Sequence, residues 1–272
     1  METLAVAIAS LFVFVLGASI GSFINVVAHR LPAGISLIFP PSRCPHCCHR
    51  LGARENLPVV SWLWLRGRCR WCQASISIRY PLVEAAAGCL FFLVFWQFGI
   101  SPHTLGYWIL LSWLLALSLI DLETMTLPNV LTRSCLLAGL GFQAALGWYA
   151  NTGAGLASHL MTGIASAVVG IWLFDTVAIA GTLALGQTAM GGGDPKLAAA
   201  IGAWVGWQYL LLTSFLACAF GAVVGGAALY LGWLDRKQPL PFGPFLAGGA
   251  ASAVLWGEAI LSTYLAVFFP FR

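Results

Sequence analysis

No charged side chain occurs between Glu84 and Asp121, and this stretch is long enough for two helices that each cross a membrane. A spanning helix needs ~20 consecutive apolar residues. The whole 272-residue chain is also poor in charge, because 60% of its residues are hydrophobic and only 8% are charged. A soluble domain carries about 25% charged residues. The composition therefore predicts an all-α polytopic membrane protein and excludes a soluble fold.

Apolar runs divide the chain into about eight transmembrane helices. Gly99 and Pro102 break the uncharged stretch in two, because glycine and proline interrupt helices. The expected helices cover roughly residues 4–28, 82–99, 104–121, 130–149, 156–185, 197–208, 209–233 and 245–268. Residues 29–80 form the one sizeable polar region. We therefore expect a first transmembrane helix over 1–28, a cytoplasmic loop domain over 29–80 and a seven-helix membrane domain over 81–272.

The basic residues orient this chain in the membrane. Eight of the 13 lie between Arg30 and Arg79. Such a cluster can bind nucleic acid, but beside a membrane helix the positive-inside rule explains it better. The loop is then cytoplasmic and the N-terminus outside, with the lipid bilayer as partner and no nucleic acid. Counting eight spans from there places Asp121, Asp194 and Arg236-Lys237 on the cytoplasmic side.

Two C-x-x-C knuckles lie within the polar loop, Cys44-Pro-His-Cys47 and Cys69-Arg-Trp-Cys72. Four thiolates at this spacing are typical of a structural zinc site. A disulfide interpretation does not suit a cytosolic loop, where thiols stay reduced. The alternative is four unliganded thiols. The loop has no core large enough to fold alone, so we expect bound zinc to supply folding energy.

Asp121 and Asp194 are the candidate catalytic residues. A carboxylate at a membrane edge is costly, so a functional role is the default hypothesis. Two carboxylates that share a proton can activate water, as in aspartic proteases. The alternatives are an interfacial helix end for Asp121, and for Asp194 a solvated loop residue or a partner of Lys196. Glu123 and Asp175 are the competing acids.

An ordered set of motifs covers nearly the whole chain and resembles the bacterial prepilin peptidase family, the type IV leader peptidases. These motifs are Gly21-Ser-Phe-Ile-Asn-Val-Val-Ala-His-Arg-Leu-Pro32, the loop from Cys44 through Glu55-Asn56-Leu57-Pro58 to Arg79-Tyr80-Pro81-Leu82-Val83-Glu84, Asp121 with Leu127-Pro128, Gly191-Gly-Gly-Asp194-Pro-Lys-Leu197, Gly202-Ala-Trp-Val-Gly-Trp207 and Pro241-Phe-Gly-Pro244. The Gly-x-Gly-Asp pattern alone is weak, but the ordered set is specific. One departure is Leu-Pro-Asn129, where many members carry Leu-Pro-Asp.

The resemblance implies a membrane aspartic endopeptidase in the bacterial inner membrane, with its active site facing the cytoplasm. Its implied substrates are prepilins or pseudopilins, whose short basic leaders are cut after a glycine. Many members then methylate the new N-terminus with S-adenosylmethionine. The cysteine-bearing loop is implicated in that second activity, and Glu55 is a candidate for methyl transfer by motif position only.

Two other function classes stay open at this stage. One is a cation transporter or channel, and the other is a non-enzymatic scaffold whose zinc loop recruits a secretion-system partner. Acids scattered over several helices would favour a transporter, whereas this chain concentrates them at one face. The resemblance does not name the substrate, and it does not choose between a type IV pilus and type II secretion.

Overall fold

The computed structural model describes residues 2–149, 153–186, 190–233 and 240–269. The expected cytoplasmic turn at Arg236-Lys237 lies outside these residues. The described chain forms eight helices and two isolated β-bridges. The helices are α1 (Glu2–Arg30), α2 (Val60–Trp64), α3 (Arg79–Phe98), α4 (Pro102–Thr124), α5 (Asn129–Tyr149), α6 (Gly153–Leu185), α7 (Asp194–Tyr230) and α8 (Gly243–Phe268).

Seven of the described helices are long and apolar enough to cross a membrane, and the five-residue α2 is the exception. The predicted all-α polytopic fold is confirmed, and the chain is a multi-pass membrane protein. Asp175, one of the two competing acids, lies within a continuous α6.

Two compact units divide the chain, residues 1–116 and residues 117–272, with the boundary inside α4. In the first unit, α1 packs against α3 through small residues. A Cβ on Gly17 would lie 2.7 Å from the carbonyl oxygen of Ala87, and one on Gly21 would lie 2.8 Å from Cα of Glu84. Such contacts need glycine, because small residues let helix backbones approach closely in a membrane.

In the second unit, the chain reverses direction inside α7 at Gly206. This residue has φ 82° and ψ 168°, a non-helical conformation that glycine adopts at little cost. A Cβ on Gly202 would lie 3.1 Å from a methyl carbon of Leu210, whereas eight residues of straight helix span about 12 Å. The parts of α7 before and after Gly206 therefore form two arms, which we call the short arm and the long arm.

The short arm runs antiparallel to α6. Gly170 packs against the backbone of Ala198, and Gly202 packs against the carbonyl of Ser166. The arm has about 12 residues and is about 18 Å long, so it is too short to cross the hydrocarbon core alone.

The long arm runs antiparallel to α8. Gly257 contacts Tyr209 near one end of the pair, and Gly221 contacts Phe245 near the other. The described chain thus has seven candidate membrane spans, and counting the two arms of α7 separately gives eight apolar helical segments, where the sequence predicted about eight transmembrane helices. The expected break between residues 208 and 209 lies instead at Gly206.

Candidate active site and cysteine cluster

Asp121 lies in the last turn of α4 and is only 6% exposed. Its Oδ2 accepts a hydrogen bond of 2.9 Å from the backbone N–H of Gly243, the first residue of α8. A Cβ on Gly243 would lie 2.7 Å from the same oxygen. Only glycine therefore lets the main chain approach this carboxylate without displacing it.

Asp194 is the first residue of α7 and is 7% exposed. Its N–H donates to the carbonyl of Gly191 at 3.3 Å, which closes the glycine-rich turn before the helix. Gly193 packs on the side chain of Leu127, so that a Cβ there would lie 3.0 Å away. The turn before Asp194 is thus seated on the segment that follows Asp121.

A second contact joins the same two segments. Nζ of Lys196 donates to Oδ1 of Asn129 at 2.8 Å. Lys196 lies two residues beyond Asp194, and Asn129 begins α5. Lys196 therefore bonds to an uncharged side chain, and the interpretation of Asp194 as its partner is not supported.

The two aspartates lie at the same end of the second unit. Phe174 of α6 contacts Phe242, next to the start of α8, with ring centroids 6.1 Å apart. Because the short arm is antiparallel to α6, Asp194 lies level with Phe174. The starts of α7 and α8 and the end of α4 therefore meet at one place.

The competing acids differ from these two in burial. Glu123 and Asp175 are exposed. Among the acids whose burial the structure describes, only Asp121 and Asp194 are buried. Sequence reasoning missed the contribution of Gly243, although Pro241–Pro244 was part of the family resemblance.

The four knuckle cysteines form a cluster in the first unit. The sulfur atoms of Cys44, Cys47, Cys69 and Cys72 all lie within 4.8 Å of one another. The Cys44–Cys72 sulfur distance is 3.8 Å and the Cys47–Cys69 distance is 4.0 Å. A tetrahedral metal with bonds of about 2.3 Å to sulfur requires S–S distances of about 3.8 Å. The cluster therefore fits a metal ion such as zinc.

The two knuckles share one backbone pattern. In the first, the N–H of Cys44 donates to the carbonyl of His49, and the N–H of Cys48 donates back to Cys44. In the second, Cys69 and Gln73 make the equivalent bonds, the former to the carbonyl of Ala74. Cys48 is exposed and lies outside the cluster.

Hydrogen bonds move the pKa values of two of these thiols in opposite directions. The N–H groups of Cys47 and His46 lower the pKa of the Cys44 thiol to about 6. For Cys47, the N–H of His49 acts to lower the pKa, but partial desolvation and the neighbouring thiols raise it to about 12. Cys47 thus keeps its proton while it is hydrogen-bonded to the other thiols, and binding of a metal ion would release that proton.

Glu55 has a local contact within the same loop. Its Oε2 accepts a hydrogen bond of 2.8 Å from the N–H of Gly52. Glu84 of α3 accepts a bond of 2.7 Å from the N–H of Val59. Glu55 thus closes a turn inside the loop, and Glu84 attaches the loop to a membrane helix.

Comparison with known proteins identifies the family of this chain. Residues 15–98 match the family model described as the bacterial peptidase A24 N-terminal domain, and residues 108–226 match the type IV leader peptidase family. No solved structure gives a significant match.

Curated relatives match along nearly their full length. A protein of Stutzerimonas stutzeri is 42% identical, covering 92% of each chain. One of Aeromonas hydrophila is 40% identical, covering 94% of this chain and 93% of its own, and one of Pseudomonas aeruginosa is 40% identical, covering 92% and 91%. Each is named a prepilin leader peptidase/N-methyltransferase. The chain therefore belongs to the type IV leader peptidase family and carries its bacterial N-terminal domain.

Proposed function

We propose that this protein is a membrane aspartic endopeptidase that removes the leader of type IV prepilins or pseudopilins and then methylates the new N-terminus. The observation that carries the peptidase proposal is the burial of Asp121 and Asp194 at one end of one structural unit. Membership of the leader peptidase family and the names of the relatives support the same activity.

In the proposed cleavage, one carboxylate of the pair is ionised and takes a proton from water as the water attacks the scissile carbonyl. The other is protonated, donates a hydrogen bond to the carbonyl oxygen, and later helps to protonate the leaving nitrogen. Oδ2 of Asp121 is already bonded to Gly243, so we assign its Oδ1 to the reacting groups. Fixed positions lower the barrier because the reacting groups need no further ordering.

The proposed orientation places both aspartates at the cytoplasmic face, with the N-terminus outside. The positive-inside rule supports it, since six of 13 basic residues lie in the loop between α1 and α3, and Arg30 and Arg79 stand at its two ends. A substrate would then present its scissile bond at the inner edge of the membrane, just before its own hydrophobic helix.

We assign the two chemical tasks to different parts of the chain. Residues 81–272 form the proposed peptidase domain, residues 29–80 the proposed zinc-binding loop domain, and residues 1–28 its membrane anchor. Cys44, Cys47, Cys69 and Cys72 would hold zinc in a structural role, because four protein ligands leave no open position on a tetrahedral ion.

S-adenosylmethionine would supply the methyl group for the second reaction. The loop domain is the proposed location of that reaction, and Glu55 is a candidate contributor. Its bond to Gly52 orders the turn that carries it, so replacement by Gln keeps a hydrogen-bond acceptor and removes only the charge. Loss of methylation with cleavage retained in Glu55→Gln would support this assignment.

Incubation of the purified protein with a pilin-type substrate tests the proposal. The substrate carries a short basic leader ending in glycine and a following hydrophobic helix, and products are analysed by mass spectrometry with and without S-adenosylmethionine. We expect cleavage after the glycine, and an added methyl group only when S-adenosylmethionine is present. A cation transporter or a scaffold would leave the substrate intact.

A further inference from the structure

The short helix α2 has an apolar face that no described residue covers. Val60, Leu63 and Trp64 are 55%, 62% and 76% exposed. Their spacing of three and four residues places them on one side of the helix. On the other side, the indole N–H of Trp62 donates to the carbonyl of Ile76 at 3.0 Å, and its ring packs on Gly67. The orientation of the helix is thus set by its attachment to the second knuckle.

The length of α3 indicates where α2 lies relative to the membrane. Helix α3 has 20 residues, so it is about 30 Å long, which is the thickness of the hydrocarbon core. We therefore place its first residue, Arg79, at the membrane boundary. Glu84 lies about 7 Å further in, and its carboxylate bonds to the N–H of Val59, the residue before α2. Helix α2 consequently starts at the level of the membrane interface.

The turn that brings α2 to this level is strained. Val59 has a φ of 60°, and a β-branched residue at positive φ is a genuine outlier. Such a conformation persists where the surroundings enforce it, and the bond to Glu84 is one such restraint. The apolar face is therefore held at the interface rather than folded back onto the loop.

The charge of the loop matches an anionic surface. Between Arg30 and Arg79 the only acidic residue is Glu55, whose Oε2 is bonded to Gly52. Six arginines of the loop are exposed: Arg43, Arg50, Arg54, Arg66, Arg68 and Arg70. Arg66 and Arg68 follow α2 directly. Tryptophan is enriched at membrane interfaces, and basic residues near the surface attract anionic headgroups.

We propose that α2 is an interfacial anchor of the cysteine-bearing loop. Val60, Leu63 and Trp64 insert at the boundary between headgroups and acyl chains, and Arg66 and Arg68 pair with anionic lipid headgroups. The partner is the bilayer that surrounds the protein itself. The anchor would hold the α2 side of the loop at the membrane surface and leave Trp71 of the second knuckle outside the acyl chains. This proposal is independent of the enzymatic activity.

Fluorescence quenching tests the depth of Trp64. The full-length protein is reconstituted in nanodiscs with one copy each, using phosphatidylcholine brominated near the headgroup end of its acyl chains. The emission of Trp64 is obtained by subtracting the spectrum of Trp64→Phe from that of the wild type. Trp71→Phe is the matched control, because Trp71 is exposed in the same loop but outside α2. We expect the Trp64 component to be quenched and the Trp71 component not.

Amide hydrogen exchange tests the role of the headgroups. Adding phosphatidylglycerol to the nanodiscs should increase the protection of residues 60–66, and Arg66→Gln or Arg68→Gln should each reduce that increase by about fivefold. An unquenched Trp64, with protection unaffected by phosphatidylglycerol, would overturn the proposal. It would assign the apolar face to a protein partner or a second copy of the chain.

Discussion

The backbone N–H of Gly243 and the carboxylate of Asp121 are joined by a hydrogen bond of 2.9 Å between residues 122 positions apart in the chain. The bond connects the start of α8 to the end of α4. It makes the last helix part of the candidate active site, although α8 supplies no acidic residue there. The orientation of Asp121 therefore depends on the backbone N–H of Gly243. A substitution at Gly243 keeps this N–H but can move it.

Replacement of Gly243 by alanine should impair cleavage. The added Cβ would lie 2.7 Å from Oδ2 of Asp121, so the carboxylate or the start of α8 must move. Overpacking of this kind costs about 1–3 kcal/mol. If that cost falls on the reactive geometry, leader cleavage slows by about 5- to 150-fold. Initial rates on the pilin-type substrate measure the effect.

Gly248→Ala is the control for this substitution, because a Cβ there would make only an ordinary contact of 3.8 Å with Phe220. Its cleavage rate should equal that of the wild type. An equal loss of rate in the two variants would attribute the effect to α8 in general rather than to Asp121.

The bond between Lys196 and Asn129 should tolerate a charge at position 129. Both side chains are exposed, so Asn129→Asp creates an ion pair worth about 0–1 kcal/mol. We expect Asn129→Asp to cleave the substrate at the wild-type rate and Lys196→Met to be slower, since it releases the segment that carries Asp194. A double-mutant cycle on cleavage rates checks this, and additive effects would show that the two side chains do not act together.

Loss of a knuckle cysteine should remove the metal and unfold the loop. Purified protein should contain about one zinc per chain, and Cys44→Ser or Cys72→Ser should contain little. Limited proteolysis should then cut the loop faster. Cys48→Ser is the control, because Cys48 lies outside the cluster. Wild-type protein that is free of metal yet resists proteolysis would contradict the structural role of zinc.

Gln143 should be important for stability because it compensates for the break at Gly206. Gln143 is buried, and its side-chain amide donates to the carbonyl of Trp204 at 3.0 Å. In an unbroken helix that carbonyl would accept a hydrogen bond from the backbone N–H four residues later. Gln143→Leu leaves it without this donor, which costs about 1–3 kcal/mol. Unfolding in detergent measures the cost, and Gln208→Leu, at an exposed position, should unfold like the wild type.

Local patterns predicted the membrane class and the cysteine cluster. An uncharged stretch indicates membrane helices, and C-x-x-C spacing sets the separation of two ligands within a turn. The break in α7 was expected two residues late because both arms are apolar, and only the positive φ of Gly206 marks the reversal. The Gly243–Asp121 bond was not predictable, since it depends on tertiary packing between distant residues.

The roles of Asp121 and Asp194 are tested most directly by the cleavage rates of Asp121→Asn and Asp194→Asn. Both substitutions keep the shape of the side chain and remove its acid–base function. The matched controls are Glu123→Gln and Asp175→Asn, which change exposed acids. We predict that each of the first two variants loses cleavage by about 10²–10⁴-fold. Methylation of a substrate supplied without its leader, and the rates of both controls, should be unchanged. Cleavage at the wild-type rate by either Asp121→Asn or Asp194→Asn would contradict the proposed catalytic pair.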